Sequence, residues 1–264
     1  MLIFSLIYLI LTINICSYAY YRSKFNGRAI LKVKKPAKGT QKMTYLLPGF
    51  SANPEKSFSF LTEVTLYEKS AIKGGITLVE YRNLGFSPEV IGKQIINDIK
   101  RNDYRATIIS LSISDQIARY VEQEIKNVSI VTISPITNED CLKLENEILY
   151  QIKLPIVNFF ITLLGWLGQL RLVKTEDGKN ISISLQNDLE NCLINRHLEV
   201  GKKATRGLVL SKYDEFLDNN FVRDVFANAK NLDIRQVDTT HANTIIGGIL
   251  YRNDVIDLLQ KIQA

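Results

Sequence analysis

Six short runs of strand-forming residues recur along the chain, with helical patterns between them: Met43–Leu47, Ile76–Glu80, Thr107–Leu111, Ser129–Ile133, Gly207–Leu210 and Leu232–Val237. Each is short and rich in Ile, Val or Leu, the composition of parallel strands buried on both faces. Pro88–Lys100, Ser114–Ile125, Asn219–Asn228 and Asn253–Ile262 carry the helical period. In the first of these, Val90, Ile91, Ile95 and Ile99 recur at near-helical spacing, with Lys93, Asn97 and Lys100 on the other side. Strands alternating with helices specify an α/β domain: a mainly parallel central sheet with helices on both faces. At 264 residues, 46% of them hydrophobic, the chain suffices for one such domain with a full core.

One stretch departs from this rhythm. From about residue 138 to 203 the pattern is helical and irregular, centred on the apolar run Leu154–Leu172 with the only tryptophan, Trp166. Pro155, Gly165 and Gly168 interrupt that run, so it reads as an inserted helical lid with an apolar underside rather than a membrane span. Trp166 and Phe159–Phe160 belong to the core of that lid, where they could also touch a substrate.

Charge is distributed unevenly. The formal balance is +6, yet Arg22, Lys24, Arg28, Lys32, Lys34, Lys35, Lys38 and Lys42 account for more than all of it, with no acid among them. A basic run after an apolar segment is a membrane-surface or topology signal, and nothing else in the chain points to nucleic acid. Leu2–Tyr21 is that apolar segment, without a charged side chain and long enough as a helix to span a hydrocarbon core. Tyr18, Tyr20 and Tyr21 fall where an interfacial aromatic belt would sit. With all nearby positive charge on its far side, residues 1–21 read as an uncleaved anchor that keeps the domain cytoplasmic, and residues 22–42 as a basic linker. The alternatives are a signal peptide cleaved near Ser17-Tyr18-Ala19 with a secreted domain, and an ordinary buried element.

Cys16, Cys141 and Cys192 form no CxxC pair, and His197 and His241 are the only histidines. A structural zinc site is not expected, and Cys141 and Cys192 read as buried free thiols, with a disulfide between them as the alternative if the domain is exported.

The chemistry is concentrated in Ser110-Leu111-Ser112-Ile113-Ser114, which follows a strand and opens a helix. This small-x-Ser-x-small turn resembles the nucleophile elbow of the α/β-hydrolase superfamily, with serines where that family usually has glycine. Other segments resemble the family in order. Leu47-Pro48-Gly49-Phe50 is similar to its oxyanion loop, with proline for histidine, and Tyr81-Arg82-Asn83-Leu84-Gly85-Phe86-Ser87 to the loop after the next strand. Asp214, in Ser211-Lys212-Tyr213-Asp214-Glu215-Phe216, matches the position of the triad acid, and His241, in Val237-Asp238-Thr239-Thr240-His241, that of the catalytic histidine. The order Ser, Asp, His is the one this fold uses.

The resemblance covers roughly Met43 to Ile262 and implies the α/β-hydrolase fold with an inserted lid. It also implies a serine hydrolase of the esterase or lipase type, acting on a small-molecule ester or lipid through an acyl-enzyme and without metal or organic cofactor. Ser112 would be the nucleophile, His241 the base and Asp214 the acid, with the backbone amides of Phe50 and Ile113 holding the oxyanion. Glu215 and Asp140 are alternative acids, Asp115 reads as electrostatic support for the first turn of its helix, and His197 as a solvated polar residue. The alternatives are a non-catalytic, membrane-tethered binding protein, and acyl transfer or peptidase action on the same scaffold.

Overall fold

The computed structural model describes residues 12, 28–37, 39–49, 72–81, 86–137, 141, 200–201, 204–214, 217–229, 231–239 and 252–263. The strands are β1 (Ile30–Lys35), β2 (Lys42–Leu47), β3 (Gly75–Glu80), β4 (Arg105–Leu111), β5 (Ser129–Ile133), β6 (Thr205–Ser211) and β7 (Leu232–Val237). They form one seven-stranded sheet in the order β1-β3-β2-β4-β5-β6-β7. Among the described residues only the β1–β3 pairing is antiparallel. The helices are α1 (Pro88–Asn102), α2 (Asp115–Glu124), α3 (Asn219–Phe226) and α4 (Arg252–Gln263), and a short 3-10 turn, Ser112–Ser114, precedes α2.

All six expected strands are present, their ends shifted by at most two residues. The seventh corrects the reading of residues 22–42 as a linker, because Ile30–Lys35 pair with β3 from Ile30↔Glu80 to Lys35↔Ile76. The lysines that gave this segment a solvated look suit a sheet edge, where charge discourages pairing with another chain. Lys32 turns inward far enough to pair with Glu80 at 2.5 Å, while Val33 is 61% exposed.

The interior strands are buried on both faces, and successive residues serve opposite cores. Tyr45, Leu47, Val79 and Ile108 face one layer, packed with Ile91, Ile95 and Ile99 of α1 and Ile117 and Val121 of α2. Leu46, Leu78, Ile109 and Val131 face the other, packed with Val255, Leu258, Leu259 and Ile262 of α4. A third cluster ties Leu208 and Leu210 of β6 to Val222 and Phe226 of α3.

Local chemistry fixes the helix ends. The Ser87 hydroxyl accepts from Val90 N at 3.4 Å, Pro88 opens α1, and Asp103 closes it in the left-handed region at φ 51°. Asp218 caps α3 by accepting from Asn220 N at 2.8 Å. Among the described residues no helix is long and apolar enough to cross a membrane. Residues 2–21 lie outside them except for Thr12, as does almost all of the expected lid, 138–203.

At the start of β3 the backbone passes too close to β2 for any side chain. Gly74 has φ +106°, and a Cβ there would lie 2.2 Å from Lys42 O. Gly74→Ala should therefore lower the urea midpoint, costing at least ~1–3 kcal/mol from the left-handed backbone alone. An unchanged midpoint would contradict this crossing.

Candidate active site

β4 ends at Leu111, and the chain turns directly into α2, carrying Ser112 at the corner with φ +58°. A non-glycine residue in this region is strained, and such strain persists only where the surroundings impose it. Ser114 supplies much of that restraint. Its hydroxyl accepts from Leu111 N at 2.8 Å and lies 2.9 Å from Leu111 O and 3.0 Å from Leu47 O, fastening the turn to the end of β2. At φ −69° Ser114 needs no glycine, and its hydroxyl replaces that flexibility with a staple. Ser110, on the strand side, donates to Thr132 Oγ1 at 3.0 Å.

The predicted oxyanion loop lies against this corner. A Cβ on Gly49 would meet Leu111 O at 3.2 Å and Ser112 Cβ at 3.3 Å, so a larger residue would press on the serine. The Tyr81 hydroxyl donates to Pro48 O and holds the loop from the other side. Ser112 is buried at 2% exposure, and the next residue, Ile113, belongs to the 3-10 turn that leads into α2, whose dipole favours negative charge at this end.

Beneath the corner lies a buried ionic network. Asp115 Oδ1 accepts from Thr132 Oγ1 at 3.0 Å and from Arg206 at 3.3 Å. Its Oδ2 pairs with Arg119 Nε at 2.9 Å. Arg206 also donates to Glu122 Oε2 at 2.5 Å, and Glu122 accepts from Gly201 N at 3.1 Å. Arg119 donates to Thr137 O at 2.5 Å, and the Arg206 guanidinium stands 5.0 Å from the centre of the Phe226 ring. Burial pushes the Glu122 carboxyl up and the Arg119 guanidinium down, while Arg206 and Asp115 respectively oppose those shifts.

Sequence reasoning missed this network. Asp115 is at the first turn as expected, but it works as the centre of ion pairs and not only against the helix dipole. A lone arginine in the run Thr205-Arg206-Gly207-Leu208-Val209-Leu210, with Asp115 and Arg119 four residues apart, was the available signal.

Asp214 follows β6 on the same edge of the sheet. It is 2% exposed, and its Oδ1 accepts from Leu217 N at 2.9 Å. The ends of β6 and β7 are joined there by Lys212 N to Val237 O (2.8 Å) and Tyr213 N to Thr239 O (2.9 Å). Between this corner and Ser112, the hydroxyls of Ser134 and Ser211 are 2.8 Å apart, and Ser134 has φ +42°. β5 separates β4 from β6, which puts two strand spacings, about 10 Å, between the strands that deliver Ser112 and Asp214. Phe50, Asp140, Trp166, Cys192, His197, Glu215 and His241 lie outside the described residues. Cys141 is buried.

No protein-family model matches the chain, and no curated protein does. Solved structures do. An α/β hydrolase enzyme from a Medee basin deep-sea metagenome library aligns with TM-score 0.61 at 11% identity, over 88% of this chain and 94% of that one. The enol-lactonase of Burkholderia xenovorans LB400 aligns with TM-score 0.61 at 10% identity, over 88% and 96%. An esterase from Exiguobacterium antarcticum aligns with TM-score 0.56 at 12% identity, over 88% and 96%. At such identities the likeness is one of fold.

The network makes a prediction about stability. Arg206→Met leaves two buried carboxylates facing one guanidinium and should cost ~3–5 kcal/mol in urea unfolding. Adding Glu122→Gln restores neutrality, so the double variant should be more stable than Arg206→Met alone. A carboxyl held high in the folded state binds its proton more tightly there than in the unfolded chain. Stability is then lost as pH rises, and Arg206→Met should be less impaired in mild acid than at neutral pH. Additive losses with no pH dependence would contradict the coupling.

Proposed function

We propose that this chain, which has the α/β-hydrolase fold, is a serine hydrolase that cleaves carboxylic esters through an acyl-enzyme. The observation that carries this reading is Ser112 itself, held at φ +58° at a strand-to-helix corner and on the same sheet edge as the buried Asp214. A serine held in strained, left-handed backbone at a strand-to-helix corner occupies the position of a nucleophile elbow.

In this mechanism the Ser112 hydroxyl attacks the ester carbonyl as His241 takes its proton, and the negative oxygen is received by the amides of Ile113 and Phe50. The alkoxide leaves with the proton from His241. Water, deprotonated by the same imidazole, then releases the acid and frees Ser112. Asp214 orients His241 and stabilises its imidazolium. Two features support the histidine's part. The gap of about 10 Å between the strands of Ser112 and Asp214 suits an imidazole bridging them. His241 also follows Thr239, which is tied to the loop of Asp214, by two residues. Ser110 and Ser114 support the elbow through their hydrogen bonds, so the loss of the usual glycines does not by itself favour a merely scaffolding role. The apolar run Leu154–Leu172 would cover an acyl chain, and residues 2–21 would anchor the domain on the cytoplasmic side of a membrane.

Ser112→Ala should abolish labelling by a fluorophosphonate and lower turnover by several orders of magnitude, leaving the contribution of binding and the oxyanion amides. His241→Ala should do nearly as much, and combining the two should cost little more, because residues in one relay are not additive. Asp214→Asn should be severe, whereas Glu215→Gln and Asp140→Asn should be tolerated. Undiminished hydrolysis by folded Ser112→Ala would refute the mechanism. Folded wild-type protein that neither labels nor hydrolyses esters would point instead to a binding role.

Chain-length dependence tests the substrate. Turnover of nitrophenyl esters should rise as the acyl chain lengthens, with each buried methylene worth ~0.8 kcal/mol until the groove is filled. A preference for acetyl alone would leave a small-ester hydrolase.

A further inference from the structure

The direction of β1 determines which side of the domain its N-terminal segment leaves from. β1 is antiparallel to β3, with Ile30 opposite Glu80 and Lys35 opposite Ile76. Its first residue therefore lies at the C-terminal ends of the parallel strands, the edge from which Ser112 and Asp214 emerge. Each strand of six residues is about 20 Å long, so the opposite edge is that much further away.

This attachment is fixed rather than loose. Ala29 N donates to Gln94 Oε1 at 2.7 Å, and Gln94 Nε2 donates to Ala29 O at 3.1 Å, clamping both backbone polar groups to α1. Ala29 is buried, and the Lys32–Glu80 pair secures the next turn of the strand. Only seven residues, 22–28, separate this clamp from the uncharged stretch 2–21, and a fully extended chain of that length reaches about 25 Å. Three of the seven, Arg22, Lys24 and Arg28, are cations suited to anionic headgroups. Across the sheet, β4 lies three strand spacings, about 14 Å, from β1.

From this topology we infer that the edge bearing Ser112 faces the bilayer that holds residues 2–21, and that the substrates are esters resident in that membrane. The inference rests on the hydrolase and anchor readings above and adds orientation and substrate class to them. A short, clamped tether brings the nucleophile to the surface, so a lipid ester need not cross water to reach it. The rival orientation has its own candidate surface. The opposite edge has a cleft of about 760 Å³ lined by Lys35, Lys42, Lys73 and Arg105, with no acidic residue among the described residues that line it, and it could equally meet anionic lipid.

Probes on the two edges decide between them. Val90, 37% exposed in the first turn of α1, marks the Ser112 edge, and exposed Thr40, between β1 and β2, marks the other. Each is replaced by cysteine in the full chain carrying Cys16→Ser and Cys192→Ser, labelled with a fluorophore, and bound to phosphatidylcholine–phosphatidylglycerol vesicles holding a headgroup-linked quencher. Buried Cys141 stays unlabelled. Quenching at position 90 should be several-fold stronger than at position 40. Equal quenching, or stronger quenching at 40, overturns the orientation, and a chain that does not bind the vesicles overturns it by removing the anchor.

A flexible 40-residue spacer inserted between Gly27 and Arg28 supplies the functional arm. It should lower turnover of a vesicle-held ester several-fold and leave hydrolysis of a soluble nitrophenyl ester unchanged. Unchanged turnover of the vesicle-held ester overturns the substrate class. Strong quenching at 90 in a protein that hydrolyses neither ester refutes the hydrolase reading and the substrate class with it, while the orientation stands.

Discussion

Two guanidinium groups and two carboxylates are enclosed together beneath the turn that carries Ser112, and the geometry of that turn depends on their mutual neutralisation. Asp115 belongs to the first turn of α2, three residues after Ser112, and Arg206 belongs to β6, the strand that ends near Asp214. Their pairing, through Thr132 of β5, joins the elements delivering the two residues across the intervening strand. Each of these charges would be costly to bury alone, and together they balance. An apolar core of the same volume could be as stable, but it would not fix the rotation of α2 against the sheet with directional bonds.

On that foundation the strain at Ser112 becomes tolerable. The serine is held in the left-handed region because Ser114 ties the turn to Leu111 and Leu47, Ser110 ties the strand to Thr132, and Gly49 leaves room beside it. Serines stand where related elbows usually have glycines, and each makes hydrogen bonds that a glycine could not. The network and the elbow meet at Thr132, which accepts from Ser110 and donates to Asp115.

Much of this architecture was legible in the sequence, because buried parallel strands are short apolar runs and helices keep their period. The corner at Ser112 and the loop of Asp214 were legible for the same reason: each follows such a run. β1 was hidden because an edge strand with lysines on its open side has the composition of a linker. The ionic network was hidden because its members are far apart in the chain, with Arg206 separated from Asp115 by 91 residues. Their meeting is a product of strand order, which no local pattern records. The restraint by Ser114 was hidden too, since the sequence gives its size but not its partner on β2.

The central claim is that this buried scaffold presents Ser112 as a nucleophile beside the amide of Ile113. The most direct measurement is a crystal structure of the chain after reaction with a phosphonate ester. The account predicts a single covalent bond from phosphorus to Ser112 Oγ, with a phosphoryl oxygen about 2.7–3.1 Å from Ile113 N and Ser112 still at positive φ. An adduct on another residue, or an unmodified Ser112 in folded protein after prolonged exposure, would contradict it.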